Sequence, residues 1–335
     1  MRLRAYSGSQ NIVARAPQRK TRHSPADHSF VILTGLRGHQ RHDNFTAGRH
    51  LARQSCKTMA YRTLAFVFLA ALACSEAAAS PAPEQIDIAD GNLVLHAMLY
   101  RPDGPGPFPA IVALHNCGGL TQRPNTEAQL YSKWADKLVA DGFVVVFPDS
   151  FGSRGLGSQC RERHRTVHAW RERVGDANAA RLWLQKQSYV RGDHVSLLGW
   201  ANGAVAALWA IRLNTAVQHD AGDFRSAVAF YPSCRRLLRS AWSARVPSLI
   251  LVGSADDWTP ASTCQQMVAG ARGRSAHVQI IIYPEAHHEF DRANSPVRVR
   301  TGLVNTADPS GRAHGGTDPA ARTDAFKRVP QWLAR

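Results

Sequence analysis

The chain has 335 residues, 44% of them hydrophobic, with a formal net charge of +16. That length and apolar fraction fit a globular protein with a sizeable core. The charge would suit a nucleic-acid partner, but residues 1–58 alone carry 11 Lys and Arg against 2 acids and show no apolar periodicity. The remainder has no dense basic run interleaved with aromatics, so the excess reads as a solvated basic surface and no nucleic-acid partner is expected.

Taken in chain order, residues 59–79 have the parts of a secretory signal peptide. Arg62 follows Met59, an apolar run extends from Leu64 to Ala73, and the small residues Ala77-Ala78-Ala79 precede Ser80 and Pro81. A basic start, a short apolar stretch and an A-x-A site mark such a segment, and the run is shorter than the roughly 20 residues needed to span a bilayer. Cys74 follows Ala71-Leu72-Ala73, a poor lipoprotein box. The expected organisation is an upstream extension over 1–58, a signal peptide over 59–79, and one domain over 80–335. The mature protein would begin near Ser80, in the periplasm or outside the cell, with no stable membrane insertion after cleavage.

From about residue 84, strand-like and helix-like segments alternate. Ile86–Ile88 and Leu93–Tyr100 flank Asp90-Gly91, a hairpin signal. Pro109–Leu114, Phe143–Phe147, Val195–Leu198, Ala227–Phe230, Ser248–Val252 and Val278–Ile282 are apolar runs of buried-strand type. Helices are predicted over 126–140, 163–187, 202–213, 261–271 and 320–334. Short apolar strands alternating with helices imply βαβ units: an α/β fold with a mostly parallel central sheet and helices on both faces. Residues 291–318 lack periodicity and read as a long loop.

Chemistry is expected where strands end. Gly199-Trp200-Ala201-Asn202-Gly203 lies between a strand and an Ala-rich helix, the setting of a G-x-Ser-x-G nucleophile elbow. Both glycines are present, but position 201 is alanine. Asp256 follows the strand ending at Val252, and His288 follows the one ending at Ile282. The order nucleophile, acid, histidine is that of α/β-hydrolases, in which one oxyanion-hole N–H comes from the residue after the nucleophile and the other from an upstream loop. Here those would be Asn202 and either Asn116 or Cys117, in His115-Asn116-Cys117-Gly118-Gly119.

Five segments together carry a family resemblance: His115–Leu120, Pro148–Gly155, the Trp200-containing elbow, Asp256–Pro260 and Ala286–Asp291. Over roughly 85–335 the chain resembles the dienelactone hydrolase family. The resemblance implies an α/β-hydrolase fold acting on a small carboxylic ester or lactone, without metal or cofactor. It maps the nucleophile onto Ala201, the acid onto Asp256 rather than Asp257, and the base onto His288 rather than His287. Asn116 stands where a glycine is usual. Since a methyl group cannot attack a carbonyl, activity is expected to be absent or much reduced, and a non-catalytic periplasmic binding protein is the alternative. Ser196, inside its predicted strand, and Cys117, in the expected oxyanion loop, are the nearest other candidates, and neither is expected to substitute.

Arg154, in a Gly-rich loop at the mouth of the expected pocket, could hold a substrate carboxylate bidentately, and Trp200 is expected to touch substrate. His164 and His168 are spaced i, i+4 on the predicted 163–187 helix, among several arginines including Arg171 and Arg173, and read as a solvated face rather than a metal site. Four cysteines remain after signal cleavage. Cys234 and Cys264 both follow strands at one edge of the sheet and are expected to pair.

Overall fold

A computed structural model of the protein describes residues 82–123, 126–213 and 222–335. The expected extension over 1–58, the signal peptide over 59–79 and the mature terminus at Ser80 lie outside the described residues.

Strands β1 (Glu84–Asp90) and β2 (Leu93–Tyr100) form the expected hairpin, and Gly91 takes φ +58° in its two-residue turn. There follow β3 (Phe108–Leu114), the short pair β4 (Thr121–Arg123) and β5 (Thr126–Glu127), α1 (Gln129–Ala140) and β6 (Val144–Pro148). Then come α2 (Glu172–Gln185), β7 (Val190–Trp200), α3 (Asn202–Ala210), β8 (Ala227–Phe230) and α4 (Arg235–Arg239). The last elements are β9 (Ser248–Gly253), α5 (Ala261–Ala271), β10 (Val278–Tyr283), β11 (Arg298–Arg300), β12 (Ala313–Gly315) and α6 (Pro319–Leu333).

Eight strands make one sheet in the order β1-β2-β6-β3-β7-β8-β9-β10. The β1–β2 and β2–β6 pairings are antiparallel and the rest are parallel. Alternate residues of the central strands enter two separate cores. Val112, Val146 and Leu197 pack on one face with α2 and α3, while Ile111, Phe147 and Leu198 pack on the other with α1 and α6. Burial on both faces is why these strands read as continuous apolar runs.

Two expectations need correction. The helix expected over 163–187 begins only at Glu172, because the preceding residues satisfy their backbone differently. Glu162 Oε1 accepts from the His164 N–H at 2.7 Å and Glu172 Oε2 from the His168 N–H at 2.7 Å. Such side-chain acceptors compete with the helical pattern. Residues 291–318 are not wholly irregular, since β11 and β12 pair antiparallel within them.

Asp291 ties α1, the end of β7 and the segment after β8 together within the second core. Its Oδ2 accepts from Trp134 Nε1 and Trp200 Nε1, both at 2.8 Å, and its Oδ1 accepts from Tyr231 Oη at 2.8 Å. Burial pushes its carboxyl above the ordinary range, and the three donors work against that shift. Replacing Asp291 with Ala would leave three buried donors unpaired, at roughly 1–3 kcal/mol each. The expected loss of folding stability is at least about 3 kcal/mol, to be measured by urea unfolding with the disulfides intact.

Candidate active site

The turn from β7 into α3 places Ala201 at φ 48° and ψ −107°, a backbone conformation that costs a non-glycine residue on the order of 1–3 kcal/mol. Its flanking glycines are required by close backbone approach. A Cβ on Gly203 would lie 2.0 Å from the Leu114 carbonyl oxygen, and one on Gly199 would lie 2.5 Å from that of Gly203. The crossing of α3 over β3 and β7 therefore fixes the bend whatever side chain residue 201 carries.

Asp256 and His288 come together from the loops after β9 and β10. His288 Nδ1 donates to Asp256 Oδ2 at 2.8 Å, and both residues are buried. The other carboxylate oxygen accepts from the N–H groups of Trp258 at 3.0 Å and Thr259 at 2.7 Å, which fixes its orientation. The imidazole lies between the rings of Tyr231 and Trp258, at centroid distances of 4.4 and 4.6 Å. With Nδ1 held by Asp256, Nε2 is the nitrogen left for the cavity that His288 shares with Ala201. Thr259, which the sequence reading did not single out, adds a hydroxyl 2.9 Å from Asp256 Oδ2 and 3.1 Å from His288 Nδ1.

That cavity holds about 680 Å³ and is lined by Ala201, Asn202, Cys117, Trp258, Thr259 and His288 on its inner side. Outward it meets Arg163, Arg165, Arg235, Arg236 and Arg239, with Glu162 the only acid among the described residues on its wall. Arg236 stacks on the Trp170 ring with its guanidinium carbon 3.5 Å from the centroid. His164 and His168 also reach this wall, from a loop rather than a helix, so the solvated helical face expected of them does not exist. A larger cavity of about 1280 Å³ is lined by Asn116, Tyr131, Glu289 and the 292–303 segment, but neither Ala201 nor His288 borders it. The smaller cavity is the one that Ala201 and His288 both border.

Of the two oxyanion candidates upstream, Asn116 is excluded. Its N–H donates to Tyr131 Oη at 2.9 Å, and its side chain accepts from the Gly118 N–H at 2.7 Å and donates to Glu289 Oε1 at 3.2 Å. Cys117 and Asn202 both line the cavity, and Asn202 opens α3, where the first N–H groups have no intrahelical acceptor. Glu289 is itself held ionised: burial works against its charge, but Arg292 and Arg300 outweigh it and leave its carboxyl below the ordinary range.

Two further expectations are overturned. Arg154 is committed to Asp176 by two hydrogen bonds, of 2.7 and 3.1 Å, and to the Ser150 carbonyl at 2.8 Å, so it is structural. Trp200 is fully buried and spends its indole N–H on Asp291, so it cannot touch substrate. Cys117 is disulfide-bonded to Cys160 and Ser196 lies inside β7 against Ser226 Oγ at 3.1 Å, so neither offers a substitute nucleophile. The expected Cys234–Cys264 pair is present, with Cα atoms 5.0 Å apart.

Arg173 was hidden in the sequence among the arginines assigned to a solvated face, yet it is fully buried. Its guanidinium donates to the His115 carbonyl at 2.8 Å, to Asn202 Oδ1 at 2.7 Å and to Ser150 Oγ at 3.2 Å. One planar fork thereby joins the loop after β3 to the start of α3. Burial lowers its pKa to about 10, and Asp176 offsets part of that. Burial, with Arg173 adding to it, also holds His115 neutral, well below the ordinary range.

Comparison with known proteins follows the same lines. The profile of the dienelactone hydrolase family matches residues 95–335. Among solved structures, a dienelactone hydrolase-like promiscuous phosphotriesterase from metagenomic libraries is 16% identical. The match covers 76% of this chain and 98% of that one, with a TM-score of 0.59. A dienelactone hydrolase from Anabaena variabilis is 15% identical over 76% and 98% of the two chains, with a TM-score of 0.54. A thermophilic esterase from the Planctomycetes species Thermogutta terrifontis is 15% identical over 76% and 94%, also with a TM-score of 0.54. At these identities the likeness establishes the fold. No protein of curated function matches the chain.

Arg173→Lys tests the fork. An ammonium keeps the charge but cannot serve three acceptors in one plane. Stability is expected to fall by roughly 2–4 kcal/mol, read from urea denaturation of the variant against the parent protein.

Proposed function

The chain belongs to the dienelactone hydrolase family, and from that premise we propose that its cavity binds a small carboxylic ester or lactone on a hydrolase scaffold whose covalent step is disabled by Ala201. The observation that carries this reading is the strained elbow at residue 201, on the wall of the cavity that the Asp256-bonded His288 also lines, although no side-chain nucleophile occupies it. A hydroxyl at that position would attack the ester carbonyl while His288 Nε2 took its proton. The N–H groups of Asn202 and Cys117 would bind the resulting oxyanion, and the protonated imidazole would return the proton to the departing alkoxide. Water would then release the acid from the acyl-enzyme by the same exchange in reverse. With a methyl group in place, the first bond cannot form.

Five arginines against one acid at the cavity wall favour an ester that carries a negative charge elsewhere in the molecule. The same features support a second reading, a periplasmic protein that binds such an anion without turning it over. Export itself is supported by the two disulfides, which persist in oxidising compartments. No helix among the described residues is long and apolar enough to cross a membrane. N-terminal sequencing of the exported protein is expected to begin near Ser80.

Ala201→Ser separates the two functional readings. The variant is expected to hydrolyse a short-chain aryl ester at least about 10³-fold faster than the parent, given that loss of the nucleophile in subtilisin, a standard example, costs ~10⁶ in turnover. It is also expected to prefer an ester with a distal carboxylate, and that preference should shrink as salt is raised. A folded variant that hydrolyses no activated ester, while the parent protein binds the anionic compound, would leave the binding protein as the function.

A further inference from the structure

Asp257 and His287, the neighbours of the acid–base pair, meet on the other side of it. Adjacent residues of an extended loop point in opposite directions, so a chain that aims Asp256 and His288 at one another aims their neighbours elsewhere. Asp257 Oδ1 accepts from the backbone N–H of His314 at 2.7 Å, and its Oδ2 lies 2.7 Å from His314 Nδ1. The His287 and His314 rings lie with their centroids 5.3 Å apart. One ligand-capable atom from each of the three residues falls within 4.8 Å of the other two. His287 Nδ1 is buried and has no hydrogen-bond partner.

We propose that Asp257, His287 and His314 form a binding site for one divalent transition-metal ion, with zinc the best fit. The donor set decides the class. Two imidazoles and one carboxylate suit zinc and its borderline neighbours, whereas calcium and magnesium take shells of oxygen. Bonds of about 2.0–2.2 Å to N and O donors place ligand atoms roughly 3–4 Å apart, so closing the cluster takes a shift of about an ångström. All three residues are partly exposed, which gives the ion a route in and leaves room for water at its remaining positions.

The consequence is mechanical. The ligands come from the loop after β9, the loop after β10 and strand β12, three segments that also enclose the acid–base pair. Gly316 N–H donates to the His288 carbonyl at 2.9 Å, so β12 already leads into the histidine loop. A bound ion would clamp these segments from outside the cavity and hold Asp256 and His288 in register without contacting substrate.

The test is calorimetric titration of the tag-free, chelator-treated protein with Zn²⁺ at neutral pH, alongside His314→Ala, His287→Phe and Asp257→Asn. One ion per chain is expected, with affinity at least tenfold weaker in each variant. Zn²⁺ should raise the thermal unfolding midpoint of the parent protein and leave those of the variants nearly unchanged. Asp257→Asn is close to isosteric, and its far-UV circular dichroism identifies any loss of fold. Zinc binding of equal stoichiometry and affinity in the parent and all three variants would assign the ion to other histidines and overturn the proposal. Absence of binding to the parent protein would overturn it equally.

Discussion

The buried carboxylate of Asp291 governs where the histidine of the site can be. It lies three residues beyond His288 and accepts hydrogen bonds from Trp134 on α1, Trp200 at the end of β7 and Tyr231 after β8. Each donor is a large aromatic side chain in the same core, and each would otherwise carry an unpaired polar atom into it. The carboxylate thus satisfies three groups at once and, in doing so, fixes the loop after β10 against the centre of the sheet. Tyr231 then serves twice, since its ring also packs against the His288 imidazole. A buried acid is a cost in isolation, but here removing it costs more than keeping it, because its partners cannot reach water.

Arg173 plays the matching part at the oxyanion side. Asp291 fixes the base from one core, and Arg173 fixes the His115 carbonyl and the Asn202 side chain from the other, through a guanidinium with Asp176 and Ser150 close by. The disulfide from Cys117 to Cys160 adds a covalent restraint on the same loop. It closes a segment of 43 residues, for which the chain-entropy argument gives about 4 kcal/mol. The arginine-rich stretch that follows Cys160 is thereby brought to the cavity instead of extending α2.

What could be read from the sequence follows from this division. Strands buried on both faces leave no choice of residue type but apolar, so the central strands of the main sheet are visible as runs, and the glycines at 199 and 203 are visible because nothing larger fits. The order of Ala201, Asp256 and His288 is visible for the same topological reason: each sits where a strand stops. Burial of a charged residue is not visible in one sequence. Arg173 and Arg154 look like Arg163 and Arg171, and only the fold separates the two that are locked in hydrogen bonds from those in solvent. Trp200 was misread because an aromatic beside a nucleophile position can serve pocket or core, and the acceptor that decides, Asp291, is 91 residues away. The β11–β12 pairing was missed because both strands are only three residues long, too short for periodicity to register.

The elbow itself explains how a hydrolase scaffold can lose its nucleophile and keep its shape. The bend at residue 201 is imposed by the approach of Gly203 to the Leu114 carbonyl and of Gly199 to Gly203, so the strain belongs to the packing of α3 on β3 and β7. Residue 201 endures that strain and does not create it. Ala201 itself borders the cavity. The Asn202 side chain is held by Arg173, and the Asp256 carboxylate by the N–H groups of Trp258 and Thr259. On the proposed reading, a carbonyl group seated in this cavity would still meet the N–H groups of Asn202 and Cys117 and the Nε2 of His288. Those are interactions that bind a ground-state ester, and their full value is realised only when the oxygen becomes an anion. On the proposed reading, Ala201 removes the bond that would make it one, while the Asp256–His288 pair is retained.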